Sequence, residues 1–249
     1  SSRTVPFLSK VTGVPMVRLA VGVALGLSLA EQGYGSGLMP PPPYYAVKAP
    51  VFSFEKLKRV DISLGPEMKS TGEVLGLAPT YEEALAKAIL GAGARLPSEG
   101  EILVSIADRD KEEARPILAR LAELGFTLRA TAGTAHFLAS RGISVKTVKK
   151  VGEGRPNVID LILGGRVQLV INTPTRGRLP ERTGFAIRRA AVEYRVPCLT
   201  SLDTAAALVR VLAEGVGEGD LAPVALQDCL AALAGEGGRG FELTPRPSP

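Results

Sequence analysis

From Gly100 onward the chain alternates short apolar runs with amphipathic stretches, and this alternation limits the fold more than any other feature. Apolar strand candidates fall at Ile102 to Ile106, Phe126 to Ala130, Val145 to Val151, Val167 to Ile171 and Cys198 to Thr200. Helical patterns follow them at Asp110 to Leu124, Thr134 to Ser140, Asn157 to Leu163, Gly184 to Tyr194 and Thr204 to Glu214. Strands that alternate with helices across short links predict a five-stranded parallel sheet with helices on both faces, an α/β fold. The first part reads as a smaller α+β segment. Pro15 to Glu31 is expected to form one packed helix stopped by Gly33, with Pro40 to Pro43 as a stiff connector and Val51 to Phe54 as a short strand. An irregular stretch runs from Leu64 to Gly72. Thr80 caps a helix to Leu90, with Glu83 at the capping-box position. These signals divide the chain into 1–94, 95–218 and 219–249, the last holding a weak helix over Pro223 to Ala234 and an unstructured tail.

Composition removes several chemistries. His136 is the only histidine, and Cys198 and Cys229 are the only cysteines. A zinc site and a Ser-His-Asp triad are therefore not expected, and no metal ligands are assigned. Two cysteines give no disulfide framework, which fits a reducing, cytoplasmic setting. The apolar run Val17 to Ala30 behind Arg3 and Lys10 imitates a signal peptide, but it contains Arg18 and is too short to span a bilayer. No membrane association is expected. The chain begins at Ser1 without a methionine and reads as a piece of a longer protein.

Charge is concentrated. Of the formal net +5, residues 144–195 carry eleven Lys/Arg against four Asp/Glu, a net of +7. A basic stretch of this kind suits an anionic partner. Nucleic acid is disfavoured, because aromatics are only 5% and no nucleic-acid motif is present. A small phosphorylated ligand is the more economical reading.

In a doubly wound sheet, ligands bind beyond the carboxyl ends of the strands. Ser105 ends the first strand and Lys111 follows it. Thr131, Gly133 and Thr134 follow the second, Lys149 and Lys150 end the third, and Asn172, Thr173, Thr175 and Gly177 follow the fourth. Thr131 to Thr134 opens a helix, where free N–H groups and the helix dipole favour an anion. A lone Thr-x-Gly-Thr is an ordinary helix cap. Four such loops on one predicted rim shift the balance toward a phosphate site and leave the capping reading open.

Longer motifs carry a resemblance. The run from Ser2 to Lys10 with Thr12 to Pro15, Ser28 to Gly33, and Leu64 to Val74 resemble the end of the second ATP-grasp half of the carbamoyl phosphate synthetase large subunit. Glu153 to Pro156 and Ile187 to Ala191 resemble its C-terminal regulatory domain, which is itself similar to methylglyoxal synthase. The resemblance runs from residue 1 to about residue 215. It implies a ligase that makes carbamoyl phosphate from bicarbonate, glutamine-derived ammonia and two ATP, for pyrimidine and arginine biosynthesis. It implies as partners the rest of the large subunit, a glutamine amidotransferase small subunit and a nucleotide effector such as UMP or IMP. The chain itself would hold no cofactor; ATP and Mg2+ or Mn2+ would serve the complete enzyme.

By resemblance, Lys111, Thr131, Gly133, Thr134, Lys150, Asn172 and Thr173 match effector-phosphate positions, and Thr175 takes a further hydroxyl position. Arg3 matches an ATP-site arginine, stranded without the rest of that site. Glu73, with Thr200, marks a second effector position, although Cys198 stands where enteric members carry a tyrosine. The alternative function is a methylglyoxal synthase-type lyase acting on dihydroxyacetone phosphate. That chemistry needs aspartates and a histidine around the pocket. Here Glu153-Gly154-Arg155 replaces a Gly-Gly-Asp loop, and Asn172 stands where an aspartate is needed.

Overall fold

A computed structural model describes residues 3–38, 41–52, 68–174, 183–215, 225–228 and 230–231. The amino-terminal part begins with two short helices, α1 (Thr4–Thr12) and α2 (Met16–Ala24), which meet at a bend of 114°. Gly13, left-handed at φ 70°, ends the first. The helix expected over residues 15–31 is therefore shorter than its apolar pattern. It stops at Leu25, and Gly26 at φ 96° turns the chain away. The following stretch is held by a local turn in which Glu31 accepts from the backbone and hydroxyl of Ser28. Nor is the segment packed as expected: Val17, Val21, Val23, Leu25, Leu27 and Leu29 are exposed. No single helix among the described residues is long and apolar enough to cross a membrane, although the bent pair of α1 and α2 together has that length and composition.

Strand β1 (Tyr45–Val51) pairs antiparallel with β2 (Gly72–Ala78), in a register that sets Tyr45 opposite Ala78 and Pro50 opposite Glu73. The strand expected at residues 51–54 thus lies earlier in the chain, and Ser53 and Phe54 are outside the described residues. Helix α3 (Tyr81–Gly91) packs across this pair. Its cap is as read: the Thr80 hydroxyl accepts from Glu83 N at 3.3 Å. Ala84 and Ala88 let the helix lie directly on β2. A Cβ at Gly76 would stand 1.9 Å from the Ala84 carbonyl oxygen, so glycine is required there by space.

The second part is the sheet. Its strands are β3 (Glu101–Ser105), β4 (Thr127–Thr131), β5 (Lys146–Val148), β6 (Val167–Asn172) and β7 (Cys198–Leu199). They run parallel in the order β5-β4-β3-β6-β7. The connecting helices are α4 (Lys111–Glu123), after a 3-10 turn at Asp108–Asp110, α5 (Ala132–Ala139), α6 (Val158–Leu163) and α7 (Thr183–Glu193), with α8 (Leu202–Ala213) last. Alternation along β3 separates the two faces. Ile102 and Val104 join one core with Leu118, Leu121, Leu138 and Leu208, from α4, α5 and α8. Leu103 points the other way, into a core with Val158, Ile162, Ile187 and Ala191 from α6 and α7. Helices therefore cover both faces, as the pattern required.

Helix α3 also reaches this sheet. Ala86 is fully buried in the first core, and Glu82 pairs with Arg210 of α8. The expected division after residue 94 falls between two parts that share a core layer. Of the weak helix expected at 223–234, residues 226–228 and 230–231 are helical, and Leu230 is buried against Leu77 of β2. The rest of that segment and the tail lie outside the described residues.

Candidate functional site

Strand β3 is followed into β4 on one side of the sheet and pairs with β6 on the other, so the strand order reverses between β3 and β6. That is the switch point where an α/β sheet leaves a crevice at its carboxyl edge. Ser105, the last residue of β3, stands opposite Asn172, the last of β6. Asn172 is 2% exposed, and its Nδ2 donates to the Ser105 carbonyl at 3.1 Å.

Two buried threonines bind the loop that leaves β3. The Thr173 hydroxyl accepts from Ala107 N at 2.8 Å, and the Thr134 hydroxyl accepts from Ile106 N at 3.4 Å. Each hydroxyl that accepts a main-chain N–H keeps its own proton to donate elsewhere. Thr131 is the N-cap of α5 and is only 5% exposed, yet its hydroxyl makes no cap hydrogen bond. No buried side-chain polar atom among the described residues lacks a partner, so the Thr131 oxygen opens onto the rim. The first N–H groups of α5 are likewise uncapped by a side chain.

Lys111 supplies charge. Its Nζ donates to the Gly133 carbonyl at 3.1 Å and pairs with Asp108 Oδ1 at 2.6 Å. Hydrogen bonding by Lys111, then its charge, holds the Asp108 carboxyl below its usual range, and Lys150 adds to the same effect. Gly133 is exposed, so its backbone can be approached from outside. Lys150 follows β5 and is itself exposed; its backbone N donates to Glu153 Oε2 at 2.8 Å.

Ser105, Lys111, Thr131, Gly133, Thr134, Asn172 and Thr173 thus come together at one edge, with Lys150 on its outer side. Thr175 lies outside the described residues. The other expected positions stand elsewhere. Thr200 is exposed beyond β7, while Glu73 is held by Lys48 at 2.6 Å within the small sheet. Arg3 donates to the hydroxyl and carbonyl oxygens of Ser70 at 2.9 and 3.1 Å.

Three site residues were not foreseen. Arg188 of α7 donates to Asn172 Oδ1 at 2.6 Å and locks that amide in place. Arg109 donates to the Pro174 carbonyl at 3.1 Å and ties the loop after β3 to the loop after β6. Asp108 is the third. A Cβ added at Gly184, one turn before Arg188, would stand 3.5 Å from the Asn172 amide, so the start of α7 lies close against it.

A surface cavity of about 180 Å³ lies at the opposite end of the sheet, lined by Thr127 and Lys146, which begin β4 and β5, and holds none of these residues. Among the described residues no group of three or more His, Cys, Asp or Glu could hold a metal ion.

The family model described as the MGS-like domain matches residues 113–200. Among solved structures, methylglyoxal synthase from Elizabethkingia anophelis NUHP1 is 20% identical with a TM-score of 0.38, over 46% of this chain and 79% of that one. ForH is 20% identical with a TM-score of 0.36, over 57% of this chain and 92% of that one. Of the five strands, β4, β5, β6 and β7 fall within the matched stretch, and β3 with Lys111 lies just ahead of it. The chain carries an MGS-like domain.

Proposed function

We propose that the five-stranded domain binds a phosphorylated small molecule, a nucleoside monophosphate such as UMP or IMP, at the carboxyl edge of β3, β4 and β6. We propose further that this domain is the regulatory section of a carbamoyl phosphate synthetase large subunit. One observation carries the ligand class. The rim presents donors: Thr134 and Thr173 have lone pairs engaged by the main chain, Thr131 has no partner, α5 has uncapped N–H groups, and Lys111 adds a cation. A surface of donors suits a ligand group that only accepts, and phosphate is the strongest such group.

The assignment to the synthetase rests on the motifs of the sequence. It makes the chain part of a cytoplasmic, glutamine-dependent ligase whose ATP and Mg2+ serve the complete enzyme. Its partners are then the remainder of the large subunit and the amidotransferase subunit. Regulation requires the effector to prefer one state of the whole enzyme; affinity alone shifts nothing.

Calorimetric titration of UMP and IMP tests the site. A charge-assisted hydrogen bond contributes about 1.5–3 kcal/mol. Lys111→Ala is therefore expected to weaken binding by about tenfold to a hundredfold. Thr134→Val, which loses the hydroxyl but keeps the shape, should cost about tenfold. Lys150→Ala should cost less, because its ammonium is exposed. Failure of both nucleotides to bind, or unchanged binding in the Lys111 and Thr134 variants, refutes the assignment. Methylglyoxal formation from dihydroxyacetone phosphate is expected to be absent. Its appearance would turn the same phosphate site into the active site of a lyase.

A further inference from the structure

Two of the three donors of the Lys111 ammonium are already engaged. Lysine offers three N–H bonds. Asp108 Oδ1 at 2.6 Å and the Gly133 carbonyl at 3.1 Å take two, and the ammonium lies over the Phe137 ring, 5.8 Å from its centroid. An anion that arrives at the α5 N-terminus finds the nearest cation already neutralised.

The partners differ in how easily they leave. The Gly133 carbonyl belongs to the first turn of α5, and Phe137 is half-buried with Arg141 stacked on its ring at 3.8 Å. Asp108 sits in the short 3-10 turn with its side chain 95% exposed, whereas the Lys111 side chain is only 15% exposed. Rotation of Asp108 into water breaks nothing else. Thr131 is only 5% exposed as a residue, yet its hydroxyl opens onto the rim without a cap hydrogen bond, an independent sign that the position beside this pair is made for a ligand acceptor.

We propose that Asp108 is a built-in counter-ion for Lys111, which a phosphorylated ligand displaces on binding, so that Asp108 sets the affinity of the rim. The pair keeps Lys111 folded over the α5 N-terminus while no ligand is bound and raises the ligand concentration needed to fill the site. This inference rests on the phosphate-site reading above. It adds a residue that works against the ligand.

The experiment is calorimetric titration of UMP into the wild-type chain, Asp108→Asn, Lys111→Ala and the double variant. Asparagine keeps the size and an acceptor oxygen but removes the charge. Asp108→Asn is expected to bind UMP about two- to fivefold more tightly, the scale of one exposed ion pair. The gain should vanish in the Lys111→Ala background, because the two residues act on each other. Binding by Asp108→Asn alone would also support the proposal. Equal or weaker binding by Asp108→Asn, with wild-type binding intact, overturns the proposal and leaves the phosphate site standing. So does a gain that persists undiminished without Lys111, which would mean general repulsion. No binding by either wild type or Asp108→Asn overturns both.

Discussion

Glu101 begins β3, and its carboxylate takes two hydrogen bonds from Arg129 of the neighbouring strand, at 2.6 and 3.0 Å. These bonds hold the carboxyl below its ordinary range against an opposing effect of burial, with the charges of Arg129, Arg166 and Lys146 helping. A depressed carboxyl stabilises the fold above its unfolded value, and that contribution is lost as pH falls through the folded value. Glu101→Gln should therefore lower stability at pH 7 by about 1 kcal/mol, in line with a partly exposed charged pair. Denaturant titrations should show the gap beginning to close below about pH 4, the unfolded value, and vanishing at the lower pH where the folded wild type is protonated too. A gap constant down to pH 2 would assign the loss to shape.

Cys198 gives a second check at this scale. Burial pushes its thiol up to about 12, with Arg188 opposing. In a Cys229→Ser background, a thiol reagent at pH 8 should label the folded chain slowly and the unfolded chain quickly. Fast labelling of the folded chain would place the thiol in water. The sequence made Lys111, Thr131, Thr134 and Asn172 visible because each follows a strand end. It hid Arg188 and Asp108 because their partners are set by how a helix is rotated and how a 3-10 turn closes. Local pattern does not encode either.

Elements were legible where period and punctuation agreed. For α6 both signals were present, and the structure adds a full capping box: Asn157 accepts from Ile159 N and Asp160 N, and Asp160 accepts from Asn157 N. Asn157→Ala should cost about 1 kcal/mol in a denaturation experiment, as for other caps. No loss would mean that packing of Val158 and Ile162 alone holds the helix. Strand β2 was not legible, because Gly72 and Gly76 interrupt the apolar pattern of Gly72–Ala78. Gly76 is there for the helix above it. Gly76→Ala should destabilise the contact between β2 and α3 by about 1–3 kcal/mol or more, measurable as a lower thermal midpoint. A neutral substitution would show that α3 can lift away freely. The amino-terminal helix was misread for the opposite reason. Its apolar pattern continues through Leu29, but a glycine turn ends the helix, and what would cover an apolar face is not written in the face itself.

At the scale of the molecule, the sequence separated two halves at a run of glycines, which is where composition changes. Contacts do not change there. Helix α3 lies on β1 and β2 with one side and sets Ala86 and Leu90 against the core under α8 with the other. A fragment that begins at residue 95 should therefore unfold at a lower temperature than one that begins at residue 68, because it bares the apolar strip of α8. Equal midpoints would show that the sheet needs no such cover. Hydrogen exchange follows the same logic. Amides of β2 and α8 should fall into one slow class, opening together. A wall shared by two rooms cannot be taken down for one of them alone, and on warming this chain should lose its small sheet and its large one in a single step.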